Sequence, residues 1–454
     1  MKITYLFFLL ILTQMVFGQK VLKENLSPKV RVYWDANNKH LQGTGSYFTS
    51  NASPKTTEKH GKWVFYSYDG VLEEESNYYR DRLLGKRVFY YPNKQVKEES
   101  YFKFNVPDSL FFQWNQAGKL ITKGQFELGS PVGEWHYYYD DGREKSIEKV
   151  VNDTVYLMAS WEADSAHKQT VFDGNGSIDE RYISGGVKAH YTFKNGLKNG
   201  PFEERTANGV LSIGGSFLNG KKDGTWEFYE YQGILEKRIS YKADSLDGAY
   251  LVFTLNGDTL TSGNYANGKK QGFWCWNTAE KRMEMNGFFH EDKQDSIWHY
   301  YFPTGELSYI AHFKDGLKSG EWSYFYPNGA NYRKGNYRND ERDGNWQTWY
   351  EDGVLLMNGN YTHGLEQGTW YNYWENGALK NKAAFKDGLM NGPWISYTPE
   401  SVMSLSGKYK KGFKVGTWES YYNNGRLKEK ANYKIFTEQN VTSDMAIMGL
   451  KETV

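Results

Sequence analysis

Residues 320–345 read GEWSYFYPNGANYRKGNYRNDERDGN, and this stretch decides the fold. It opens on Gly320-Glu321-Trp322, passes a Pro-Asn-Gly turn, reaches Tyr337, and starts again at Gly344-Asn345-Trp346, 24 residues on. The same opening, or a close variant, stands at Gly200, Gly224, Gly248, Gly272, Ser296, Gly320, Gly344, Gly368, Gly392 and Gly416. A second run begins at Gly61, Gly85, Ser109 and Gly133, which makes 14 units. A fixed period of this length marks a repeat protein, whose units bury a continuous core by stacking on their neighbours.

Counting each opening residue as position 0, position 2 is aromatic in 13 of the 14 units. It is tryptophan at Trp63, Trp135, Trp226, Trp274, Trp298, Trp322, Trp346, Trp370, Trp394 and Trp418. Position 9 is usually glycine in a turn, position 11 mostly leucine, position 15 small, and position 17 aromatic in all but one unit. A four-residue turn over positions 7–10 makes cross-strand partners sum to 17, so the tryptophan faces the small residue at 15. Each large ring then lies over nearly bare backbone, an arrangement that rescues glycines in a sheet. Alternation puts positions 0, 2 and 4 on one face with 11, 15 and 17, the hydrophobic spine.

Position 5 points the other way, yet it is aromatic in 12 of 14 units. In the long second run the row is Tyr229, Phe253, Tyr301, Phe325, Trp349, Tyr373, Tyr397 and Tyr421, among polar neighbours such as Glu236, Lys380 and Lys428. Such a row either stiffens the sheet by ring stacking or forms a contact stripe for a partner. The expected fold is all-β: an elongated array of antiparallel β-hairpins in a single twisted sheet, without a deep pocket. It suits an extended partner better than a small substrate.

The remaining sequence sets the limits of the array. Residues 1–18 carry Lys2, an apolar run and Gly18 before Gln19, the layout of a secretory signal peptide. Export to the periplasm, the outer membrane or the exterior is the expectation. Residues 19–60 form a degenerate first unit, 61–142 a regular block, and 143–199 an irregular stretch that could divide the array into two lobes. Residues 200–433 form a second regular block and 434–454 a tail. Lys+Arg total 55 against 54 Asp+Glu, so bulk charge gives no case for nucleic acid.

The core pattern G-x-W-x-x-Y…N-G-x-L…Y-x-x-G resembles the MORN-repeat variant of bacterial proteins, a family that includes the YwqK-type antitoxins. The resemblance covers about residues 61–433 and implies β-hairpin arrays without catalysis. Membership in the antitoxin group would imply neutralising a toxin by direct binding, although the leader and the length depart from that group. MORN repeats elsewhere are associated with membranes or lipids. Glycan- or choline-binding hairpin repeats share the aromatic physics, but their period is shorter.

No catalytic chemistry stands out. Two segments, 215–222 and 263–270, come close to a phosphate-binding loop, but both lack the Ser/Thr after lysine and share one repeat position. Cys275, the single cysteine, reads as packing. Cys275 and His299 share position 3 of adjacent units, roughly 10 Å apart at two strand spacings. That is too far for a nucleophile–base pair. The expected function is a secreted, non-catalytic scaffold that binds a macromolecule, most readily a protein and by resemblance a toxin, with a glycan or lipid as the alternative. No cofactor or metal is expected.

Overall fold

The computed structural model describes residues 25–50, 56–434 and the backbone of 450–453. The expected signal peptide lies outside the described residues. The chain is all-β, and no helix occurs among the described residues. It divides into two compact units, residues 1–221 and 222–454. Within each, successive strands pair antiparallel as stacked hairpins.

The hairpin of Gly320–Phe325 and Asn331–Arg338 shows the local logic. Gly320 pairs with Tyr337, Trp322 with Gly335 and Tyr324 with Arg333, the sum-to-17 register. The turn that produces it differs from the expected one. Gly329 N–H donates to Tyr326 O at 2.9 Å, and Tyr326 N–H donates to Ala330 O at 2.8 Å, so only three residues form the loop. Gly329 sits at φ 83°, where glycine carries no steric penalty. Phe325 then pairs with Asn331, and Tyr332 is left without a cross-strand partner as a bulge. A short turn plus one bulged residue gives the same offset as a four-residue turn.

The bulge moves position 11. Leu307 pairs with Tyr301, Leu355 with Trp349 and Leu379 with Tyr373, so these leucines share the face of position 5. They do not join the tryptophan spine, as strict alternation had suggested.

A second turn joins each hairpin to the next. Asn339 and Asp340 both have positive φ, 49° and 69°, with Arg338 paired to Glu341. This is a two-residue turn whose twist matches the flanking strands. Asn or Asp followed by Gly fills it at 219–220, 267–268, 315–316 and 387–388. The near-matches to a phosphate-binding loop are these turns.

The tryptophan rings lean onto the preceding hairpin. A methyl group added at Gly335 would lie 2.1 Å from Trp346, and the same holds for Gly287 under Trp298 and Gly407 under Trp418. The indole N–H donates back to the same strand, Trp346 Nε1 to Asn336 O at 3.1 Å and Trp298 Nε1 to Phe288 O at 3.1 Å. The ring therefore covers the small residue of the unit before, although its backbone pairs with the small residue of its own unit. Trp298, Trp346 and Trp274 are buried. Position-17 rings stand edge-on between them: Tyr337 lies 5.2 Å from both Trp322 and Trp346, at 66° and 87°. Edge-to-face geometry suits the ring quadrupoles.

Residues 143–199 lie inside the first unit and remain strand. Glu144–Val151, Thr154–Trp161, Gln169–Phe172, Asn175–Arg181 and Val187–Lys194 pair in sequence. Leu450–Thr453 of the tail pairs with Leu427–Lys434.

Candidate interaction face

The two faces of the hairpins are used differently. On the tryptophan face, a cation completes many of the rings, though not those of Trp298, Trp370 and Trp394, where Gln294, Glu366 and Met390 stand at the cation position. Lys318 Nζ stands 4.9 Å from the Trp322 ring centre, Lys222 4.4 Å from Trp226, Lys270 4.9 Å from Trp274, and Lys414 4.4 Å from Trp418. Arg342 takes the same place over Trp346 at 5.1 Å. Cation–π attraction of this kind contributes about 0.5–1 kcal/mol at exposed sites. Lys222 and Lys270 stand where the two loop near-matches lack their Ser/Thr, and both are engaged with indole. The four-residue spacing from cation to tryptophan repeats in the sequence and could have revealed this row.

The Gly85 unit lacks the ring and shows what replaces it. Arg87 occupies position 2, stacks 4.1 Å from the Phe89 ring and pairs with Glu74 at 3.0 Å. Its guanidinium plane takes the tryptophan's place opposite Ser76.

On the other face lie the position-5 rings. Tyr229, Phe253, Tyr301, Phe325, Trp349, Tyr373, Tyr397 and Tyr421 are all half-buried. Among the described residues no ring contact joins two of them, in contrast to the continuous ring zipper of the opposite face. Some are tied to carboxylates. Tyr229 Oη donates to Glu227 at 2.6 Å and Tyr421 Oη to Glu419 at 2.8 Å. The bond to Glu227 helps push the Tyr229 hydroxyl up to about 12.

Position 6 supplies an inter-hairpin tie that the sequence reading missed. Tyr326 Oη donates to Trp349 O at 2.9 Å, Tyr350 Oη to Tyr373 O at 3.0 Å, and Trp374 Nε1 to Tyr397 O at 3.2 Å. Each bond fixes the backbone of the next position-5 residue. The turn asparagines add a second ladder, Asn328 to Glu351 O at 3.4 Å and Asn376 to Pro399 O at 2.8 Å. The position-5 row is thus held at regular intervals by its own scaffold.

Cys275 and His299 lie on this face with Asn286 between them. Cys275 pairs with Asn286 and Asn286 with His299, whose Nδ1 is 3.1 Å from the Asn286 Oδ1. Cys275 is buried, and burial pushes its thiol up. The two residues do not meet. Among the described residues no group of His, Cys, Asp or Glu is arranged to hold a metal, and no helix is long and apolar enough to cross a membrane.

A sheet of stacked aromatic hairpins with ringed glycines defines the class of protein: a β-hairpin repeat scaffold. The model of the MORN repeat variant matches residues 59–78, 83–104, 342–363, 366–387 and 414–434, so the chain carries repeats of the MORN variant type. No curated protein matches its sequence. Among solved structures it is similar to TcdB2-TccC3, at 11% identity and TM-score 0.14, over 89% of this chain and 26% of that chain. A Photorhabdus luminescens Tc holotoxin pore matches at 12% identity and TM-score 0.13, over 89% of this chain and 26% of that one. The chain thus spans about a quarter of the length of these structures, and likenesses this low carry no argument about function.

Proposed function

We propose that the protein is an exported, non-catalytic scaffold that binds a protein partner at the cell envelope through the position-5 face. One observation carries this reading. The tryptophan face spends its rings on one another, on glycine and on cations, whereas the position-5 rings make no such contacts among themselves. Aromatic residues are enriched where proteins meet, with polar groups at the rim. Regular spacing also favours a partner that extends along the array. A toxin-neutralising role, by resemblance to the antitoxin group, is one form of this function.

The test is partner capture by a triple variant, Tyr301→Ser, Phe325→Ser and Trp349→Ser. Capture from envelope extracts should fall at least tenfold while the circular dichroism of the sheet is retained. Unchanged capture rejects the face.

A further inference from the structure

We propose that the last three hairpins carry a separate site for an acidic polysaccharide. The whole chain is nearly neutral, but residues 378–434 hold eleven Lys and Arg against four Asp and Glu. One of these cations, Lys408, lines an open depression of about 310 Å³ in the face opposite the tryptophans. Its surface is formed by Pro393, Ile395, Ser406, Lys408 and Thr417, among others. Lys382 pairs directly with Ile395, so a second ammonium borders the depression. Neither Lys382 nor Lys408 has an ion-pair partner among the described residues.

The acidic group nearest this row is already neutralised. Glu419, opposite Ser406, receives Lys430 at 3.0 Å and the Tyr421 hydroxyl at 2.8 Å, and these bonds hold its carboxyl below the usual range. Two ammonium groups, the exposed Thr417 hydroxyl and an apolar floor remain open to solvent. Tyr397 stands two residues from Ile395 on the same face, with Tyr373 and Tyr421 in the hairpins on either side.

This combination selects among anions. Ammonium groups attract carboxylates, hydroxyls bond sugar hydroxyls, and flat rings stack on the C–H faces of pyranoses. The tyrosines recur every two strands, about 9.5 Å at ordinary strand spacing, a step close to the length of a disaccharide. A carboxylated polysaccharide can therefore place like groups against successive hairpins. The site takes in the last rings of the position-5 row, while the test residues of the protein-binding reading lie in earlier hairpins, so the two can fail separately.

The experiment measures binding of the full-length chain to polygalacturonate, to polyacrylate as a carboxylated chain without sugar rings, and to phosphatidylglycerol vesicles. Polygalacturonate should bind most tightly, with affinity falling as salt rises. A Lys382→Gln/Lys408→Gln variant should lose about tenfold in affinity at an unchanged melting temperature, and Tyr397→Ser should lose binding to polygalacturonate but not to polyacrylate. The Tyr301/Phe325/Trp349 triple variant should bind polygalacturonate normally. Equal binding to polyacrylate, stronger binding to the vesicles, or an unaffected lysine variant overturns the proposal.

Discussion

The hairpins from 320 to 385 and the stretch from 143 to 199 are both antiparallel strands, yet they close their cores in different ways. In the first, Trp346 covers Gly335 and Trp370 covers Gly359, with Tyr361 edge-on between the two indoles. In the second, Glu148 stands at the small position counted from Gly133, and Ala159 stands where the next tryptophan would fall. Both halves of the device are lost together. What replaces them is aliphatic: Val150, Leu157, Ala159, Val171 and Ala189 are buried.

Backbone also packs on backbone there. Gly174 N–H donates to Met158 O at 2.8 Å, Gly196 N–H to Gly174 O at 2.9 Å, and Leu157 N–H to Gly196 O at 2.8 Å. A side chain at Gly174 would meet the Gly196 nitrogen at 2.4 Å. The difference teaches that ring over glycine is one unit of design. A thin sheet covers its core with large rings, and where the chain folds back on itself small aliphatic groups suffice.

The largest effects should come from removing the ring. Trp346→Ala should cost about 3–5 kcal/mol, and Val171→Ala in the irregular stretch about 1.5–3 kcal/mol. Hydrogen exchange of the strands on either side reads each loss locally, which matters in a chain of two units. Equal losses would break the comparison. Filling the glycine should come next: Gly335→Ala forces a methyl against Trp346 and should cost about 1–3 kcal/mol. Ala311 occupies the same position beneath Trp322, so the ring can shift to admit a methyl and the loss at Gly335 should stay well below that of Trp346→Ala.

Most of the repeat was legible because its residues carry their own geometry. The period fixed the hairpins, and the alternation of Trp322, Gly335 and Tyr337 fixed which strand faces which. Leu355 was placed on the wrong face because a bulged residue leaves no mark that strict alternation can register. The lean of Trp346 onto the earlier hairpin was hidden too, since Gly335 and Gly359 both suit it and only packing chooses between them. The lysine and tyrosine ties recur at fixed spacings, but spacing alone does not tell a contact from a solvated side chain. At the candidate face, the row of rings was readable in full, whereas the depression beside Lys382 depends on how the side chains of three successive strands pack side by side.

Smaller effects test what the two regions share. Tyr326→Phe removes the bond to Trp349 O, and Tyr139→Phe removes the equivalent bond to Trp161 O, 2.7 Å long, at the edge of the irregular stretch. Each should cost about 0.5–1.5 kcal/mol, the usual net worth of such a bond. Matching losses by thermal denaturation would show that the tie is independent of how the core is closed. A much larger loss at Tyr139 would mean that the irregular stretch leans on it.

The smallest effect, and the sharpest for the comparison, concerns Glu148. It pairs across from Trp135 and Leu157, and burial raises its carboxyl above the ordinary range, with the Tyr137 hydroxyl bond opposing the rise. A raised carboxyl binds its proton more tightly in the folded chain than in the unfolded one. Stability from this group is therefore present at low pH and lost as pH rises through the carboxylate range. Glu148→Gln should flatten that part of the profile and leave the protein modestly more stable at neutral pH, as read from melting temperature against pH. Glu148→Gly should not restore the regular packing, because Ala159 supplies no ring to cover it. If Glu148→Gly alone stabilised the unit as fully as Glu148→Gly/Ala159→Trp, glycine and ring would be separable, and the contrast between the two regions would rest on something else.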